Sequence, residues 1–189
     1  MYRQAELISR SYQREQVRLH RQPQGYGGKG RKWAQTVIWL RRHLQADSVL
    51  DYGCGQGSLA KSLRQVGVTC REYDPAIPGK DALPGFADLV VCTDVLEHIE
   101  PDKLDAVLDH LKGLARKALI LVVNLRLANK TLSDGRNAHL IIETAEWWQA
   151  RVEAAGLAEL EVPDDMPTAQ ALQLHPEKRQ KCWVSVRRP

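Results

Sequence analysis

One stretch constrains the fold of this chain more than any other: Val49-Leu50-Asp51-Tyr52-Gly53-Cys54-Gly55-Gln56-Gly57-Ser58-Leu59-Ala60. An apolar run ends in an acid, three alternating glycines follow, and a helical pattern begins. The arrangement predicts a strand that enters a helix through a glycine turn. With no side chains at the turn, a ligand can lie against the backbone. The helix start adds unpaired N–H groups for an electron-rich partner. The glycine spacing alone does not choose one nucleotide cofactor, and a tight turn that holds no ligand reads the same way.

Strand and helix patterns alternate on both sides of that turn. Residues 4–20 carry Leu7, Ile8, Tyr12 and Leu19 on one side of a predicted helix, with arginines elsewhere. Residues 23–30 are glycine-rich, with Tyr26 and Lys29 among them, and read either as a linker or as a lid that orders over a ligand. Trp33, Val37, Leu40 and Leu44 fall on one face of the next helix. Beyond the turn, a helix bearing Leu59, Leu63 and Val66 is expected to end at Gly67, and residues 68–73 form a second strand that stops at Asp74-Pro75. Residues 75–87 are too short and too rich in proline and glycine to hold a full helix and strand. Residues 87–92 and 118–124 are nearly continuous in apolar side chains, as strands covered on both faces require. A helix from about Asp102 lies between them, and Thr144 is a candidate cap for one carrying Trp147, Trp148 and Val152. Residues 157–162 and 182–186 read as the last two strands. The order predicts an α/β fold, a mainly parallel sheet with helices on both faces.

The 189 residues suit a single domain, with a basic N-terminal helix and glycine-rich lid over 1–32, a core over 33–162 and a C-terminal loop and edge strand over 163–189. No uninterrupted apolar run approaches ~18 residues, so no membrane helix is expected. The first residues lack the apolar centre of a signal peptide. Cys54, Cys70, Cys92 and Cys182 form no CxxC pair and read as reduced thiols, which points to a cytoplasmic protein. The net charge of +4 is modest, but Arg10, Arg14, Arg18, Arg21, Lys29, Arg31 and Lys32 face a single acid, Glu15, in the arm. Such a cluster suits a nucleic acid or nucleotide, an acidic small molecule, or a solvated surface.

Three motifs in order, the Asp51–Gly57 turn, Tyr73-Asp74-Pro75, and Ala87-Asp88-Leu89-Val90-Val91-Cys92-Thr93-Asp94-Val95-Leu96-Glu97-His98-Ile99, together resemble the class I, Rossmann-like S-adenosylmethionine-dependent methyltransferases. The resemblance implies their seven-strand-type sheet with an antiparallel last strand, here with the third strand short or missing. It implies S-adenosyl-L-methionine as cofactor. Asp51, Gly53, Cys54 and Gly55 would surround its methionine part, and Asp74 would hold the ribose hydroxyls. Asp94 would lie beside the sulfonium, and Asp81 could meet the adenine amine. The later-spaced GxGxxG of dinucleotide dehydrogenases is absent, since Ala60 follows the third glycine at that spacing.

Methyl transfer asks the protein to align a nucleophile and often to take its proton. Asp94, Glu97 and His98 stand at i, i+3 and i+4, one face of a helical turn if the segment is helical. His139 follows the strand at 118–124 in a long loop at the same sheet edge. Glu97, His98 and His139 are therefore the candidate catalytic residues. The D-x-x-E-H with a distant histidine is also similar to the E-x-x-E-H of small-RNA 2′-O-methyltransferases, which holds a divalent metal. Asp94, Glu97, His98 and His139 are the ligand set of that second, less favoured reading. His20, His43, His110 and His175 are expected at the surface. A module that binds the cofactor without catalysis, and a nicotinamide oxidoreductase, are the rivals from other classes.

Overall fold

The computed structural model describes residues 3–22, 26–157, 166–167 and 180–186, and all statements below concern these. Five strands form one sheet in the order β2-β1-β3-β4-β5. They are β1 (Val49–Tyr52), β2 (Cys70–Tyr73), β3 (Ala87–Thr93), β4 (Ala115–Asn124) and β5 (Gln180–Val186). The first four run parallel, and β5 pairs antiparallel with β4, from Ala118 against Val186 to Asn124 against Gln180. No strand lies between Tyr73 and Ala87, so the missing third strand leaves β2 at the sheet edge. Of the two predicted final strands, residues 158–162 lie outside the described part, and the other is β5.

Successive strand residues feed opposite layers, which explains why the strands are apolar throughout. Leu50, Tyr52, Val90, Cys92, Leu119, Leu121 and Trp183 point into one core with α5 (Leu104–Leu114) and α6 (Ala145–Ala154). Val49, Leu89, Val91, Ile120, Val122 and Val184 point into the other with α3 (Ala34–His43) and α4 (Ser58–Arg64). Thr144 caps α6 by accepting from the Trp147 amide at 3.2 Å, and Trp148 is buried while Trp147 is half-buried beneath Arg151. The helix after the glycines closes at Gly67 as expected: at φ +74° its amide donates to the Arg64 carbonyl at 3.1 Å and the Val68 amide to the Leu63 carbonyl at 3.0 Å, while Val66 is 59% exposed.

The N-terminal arm departs most from its expected form. The single predicted helix is two, α1 (Gln4–Leu7) and α2 (Arg10–His20), because Ser9 stops the first and caps the second by accepting the Tyr12 amide at 3.2 Å. Tyr12, Gln16 and Leu19 form the buried stripe of α2. Tyr12 and Leu19 pack with Ile8 against Leu132 and Ala138 of the loop that follows β4. Ser9 donates to Glu100 from both its amide and its hydroxyl, and Gln13 Nε2 donates to the Pro75 carbonyl at 2.6 Å. The arm therefore spans the carboxyl ends of the parallel strands as a roof. The helix predicted from Trp33 starts as a 3₁₀ turn over Gly30–Trp33 and continues as α3.

Candidate active site

Four strand ends deliver the site residues to one rim of the sheet: Asp51 on β1, Asp74 after β2, Asp94 after β3, and the loop holding His139 after β4. The glycine turn is held against β2, since the Gly53 and Cys54 amides both donate to the Tyr73 carbonyl at 2.8 and 3.0 Å. Gly53 and Gly55 have φ of +73° and +51°, a region that costs other residues energy. A Cβ on Gly53 would lie 2.5 Å from Val95, and one on Gly55 would lie 2.8 Å from Gly27 Cα. The turn is thus shaped for close backbone approach, and in this structure the arm makes it: the Gln56 amide donates to the Gly27 carbonyl at 2.9 Å. Of the expected glycine-rich segment, residues 23–25 lie outside the described part. Its Tyr26 and Gly27 sit on the site.

Asp74 is buried at the rim. Its Oδ2 accepts from the Gly55 amide and its Oδ1 from the Ala76 amide, both at 2.9 Å, which leaves each oxygen a free lone pair. Asp51 is buried too, and burial, with Glu72 nearby, pushes its carboxyl up to about 7. Lys80, paired with Glu72 at 2.8 Å, draws it back down. The Cys54 thiol is buried and stays protonated, raised far by burial. Asp81 is bound within its own turn, accepting the Gly79 amide at 3.2 Å.

The expected helical face of Asp94, Glu97 and His98 does not form. Asp94 has φ +55°, and only Leu96–His98 make a 3₁₀ turn. Its carboxylate turns to the arm, pairing with Lys32 at 2.8 Å and accepting from Gln180. Asp94 therefore stands outside the group that the structure does bring together, Glu97, His98 and His139, whose donor atoms lie within 4.8 Å of one another. The two imidazoles meet edge to face at 4.5 Å. His98 Nδ1 lies 2.7 Å from the Ala138 carbonyl, and His139 Nδ1 contacts the Arg126 carbonyl. A carbonyl only accepts, so both Nδ1 atoms carry the proton and both Nε2 atoms keep a lone pair. Burial lowers His98 to about 3, with His139 adding to the shift, and burial also lowers His139. Glu97 is fully buried, which raises its carboxyl well above the usual range, with the Asp94 charge adding to the effect. Its Oε1 accepts from the Asn124 amide at 3.1 Å, and its Oε2 has no partner among the described residues.

Sequence reasoning missed the arm's share of this site. Tyr26 Oη donates to Gln16 Oε1 at 3.1 Å and lies 3.0 Å from His98 Nδ1, while Gln16 donates to Tyr12 and Tyr12 to the His98 carbonyl, both at 2.6 Å. A polar Gln16 within the stripe Tyr12, Gln16, Leu19 was the available signal. His20 and His110, expected at the surface, are buried instead, His110 beside the Tyr52 hydroxyl at 3.1 Å and His20 against Asp74.

A family model described as a methyltransferase domain matches residues 19–173. The chain belongs to the methyltransferase domain family. No curated protein matches the sequence of this methyltransferase. Its fold is that of magnesium protoporphyrin IX methyltransferase from Synechocystis PCC 6803, solved with bound SAH (TM-score 0.56, 19% identity, 98% of each chain covered). It is also that of the 1,6-didemethyltoxoflavin-N1-methyltransferase of Burkholderia thailandensis, solved with bound 1,6-didemethyltoxoflavin and S-adenosylhomocysteine (TM-score 0.56, 18% identity, 86% of this chain and 80% of that one). The methyltransferase domain of the bacterial CtHen1-CN is similar as well (TM-score 0.55, 16% identity, 83% and 98% covered). Among the described residues of the methyltransferase, no helix is long and apolar enough to cross a membrane.

Proposed function

We propose that this methyltransferase moves the methyl group of S-adenosyl-L-methionine to an oxygen or nitrogen nucleophile, with His139 as the base. The observation that carries the reading is the neutral group of Glu97, His98 and His139, at the rim that holds the glycine turn and Asp74. The cofactor, when bound, supplies an activated methyl on a sulfonium. The residues fit it: the glycine turn brings its backbone to the rim beside Asp74, Asp74 keeps acceptor lone pairs for hydroxyls, and the raised Asp51 favours a cation such as an ammonium. An imidazole that is neutral at physiological pH, with Nδ1 tied to a carbonyl, is ready to take a proton on Nε2. His98 lies against it edge to face.

The acceptor is a small molecule that reaches beneath the roof, or a nucleotide or RNA drawn by the exposed Arg10, Arg14 and Arg18 on the outer face of α2. Two solved proteins of this fold act by their names on small molecules, 1,6-didemethyltoxoflavin and magnesium protoporphyrin IX, which favours the first option. The test is transfer of tritiated methyl from S-adenosylmethionine into size-separated extract fractions. Label is expected in the small-molecule fraction, base-dependent and lost in His139→Ala. Label only in RNA, with steep salt dependence, would move the acceptor to the second option. No label in any fraction would refute the reading.

A second reading has its own observation. Two imidazole nitrogens and a carboxylate oxygen within 4.8 Å suit a divalent cation such as Mn²⁺, and Glu97 Oε2 lacks any other partner among the described residues. On that reading Mn²⁺ raises the thermal midpoint of the wild type but not of Glu97→Gln. Full methyl transfer in EDTA would end it.

A further inference from the structure

His20 is the last residue of the roof helix α2, and its imidazole is buried against Asp74. The side chains are 8% and 9% exposed, and His20 Nε2 stands 3.8 Å from Asp74 Oδ2. That gap is too long for a hydrogen bond. On the other side of the ring, Nδ1 has no hydrogen bond among the described residues, although the Tyr26 backbone lies beside it and favours its protonation. The ring is held in place from three sides. Tyr26 packs edge-on at 4.8 Å, a Cβ on Gly27 would come within 2.7 Å of the His20 ring, and the His20 carbonyl accepts from Gln56 Nε2 at 3.3 Å. Nε2, the nitrogen that faces Asp74, makes no hydrogen bond among the described residues and is the atom left to meet a ligand.

We propose that His20 is a cofactor-binding residue, and that with Asp74 it clamps the vicinal hydroxyls of the ribose. The inference rests on the reading of Asp74 as the ribose acid and extends that site into the N-terminal arm. A carboxylate only accepts, whereas a neutral imidazole accepts on one nitrogen and donates from the other. A diol has two donors and two acceptors, so one hydroxyl gives its proton to Asp74 and its neighbour bonds His20 Nε2. With its proton on Nδ1, beside the Tyr26 backbone, the ring accepts at Nε2, so each hydroxyl of the pair gives its own proton, one to Asp74 Oδ2 and the other to Nε2. Burial keeps the imidazole neutral; Asp74 opposes this and Lys80 reinforces it. The arm then belongs to the binding site itself.

The experiment is calorimetric titration of the full chain with S-adenosylhomocysteine and with its 2′-deoxyribose analogue. The proteins are wild type, His20→Ala, His20→Phe and Asp74→Ala. His20→Phe keeps the ring against Tyr26 and removes the nitrogens, which separates packing from hydrogen bonding. Both His20 variants are expected to weaken S-adenosylhomocysteine about tenfold, the loss of one buried hydrogen bond. In the wild type the 2′-deoxy analogue binds more weakly than the parent ligand, and in His20→Phe that difference shrinks. A purely structural role would weaken both ligands alike and leave the difference intact, which would overturn the proposal. Wild-type affinity in His20→Phe would also overturn it, with loss of binding in Asp74→Ala leaving the cofactor reading in place. Unchanged affinity in Asp74→Ala would instead strike at the cofactor reading beneath it.

Discussion

Replacing Gly55 by alanine should break the contact between the roof and the glycine turn, by an amount that follows from the structure. Gly55 sits at φ +51°, where a side chain costs ~1–2 kcal/mol. The new Cβ would lie 2.8 Å from Gly27 Cα and 3.0 Å from the Gly27 carbonyl carbon, closer than carbon atoms pack. Backbone on both sides leaves no flexible side chain to yield, so the arm has to lift. Lifting breaks the bond from the Gln56 amide to the Gly27 carbonyl, a further ~1 kcal/mol. The two local terms together reach ~2–3 kcal/mol, a shift of roughly 1 M in a urea midpoint. The more specific readout is trypsin cleavage within the arm. Every 1.4 kcal/mol of weakened closure raises the open fraction about tenfold, and initial cleavage with it. Gly28→Ala is the control, because nothing lies within 4 Å of a Cβ there and its φ is not positive. Arm cleavage in Gly55→Ala at the wild-type rate, or equal acceleration in Gly28→Ala, would refute the docked roof.

Two further outcomes follow from the buried acids. Glu97 has a folded-state pKa raised well above its unfolded value near 4.5, so the stability from its neutral form is complete below pH ~4.5 and is lost as pH rises toward the folded value. Glu97→Gln, studied by urea unfolding in EDTA, should therefore gain on the wild type as pH rises from 4 to 7, and a constant difference across that range would contradict the raised pKa. Asp51 is raised to about 7, so near pH 7 it is partly protonated in the free protein. A cofactor ammonium beside it should expel that proton, so the heat of S-adenosylhomocysteine binding should depend on the buffer's ionisation enthalpy in the wild type and not in Asp51→Asn.

What could be read from the sequence was what depends on periodicity and on glycine. Strands buried on both faces are apolar at every position, so β3 and β4 stand out without any long-range information. The turn at 53–57 announces itself because only glycine tolerates its backbone. The loop at 74–86 was legible as a missing strand because its prolines leave no run for one. The failures are tertiary. Asp94, Glu97 and His98 have helical spacing, but the positive φ at Asp94 turns its carboxylate toward Lys32, sixty-two residues earlier, a pairing no local pattern encodes. His20 looked like the polar end of an amphipathic helix. Its burial comes from Asp74 and Gly27, residues that meet it only once α2 lies across the sheet rim. Two local signals were there to be used: Gln16 within the apolar stripe, and Ser9, a capping residue within an otherwise helical pattern.

The central claim is a pocket for an adenosyl sulfonium at the carboxyl ends of β1, β2 and β3. Its most direct test is calorimetry of the full chain with S-adenosylhomocysteine, run beside NADH. One ligand per chain should bind, with affinity lost in Asp74→Ala and no heat from NADH. Silence at millimolar S-adenosylhomocysteine, or equal binding of NADH, would contradict it.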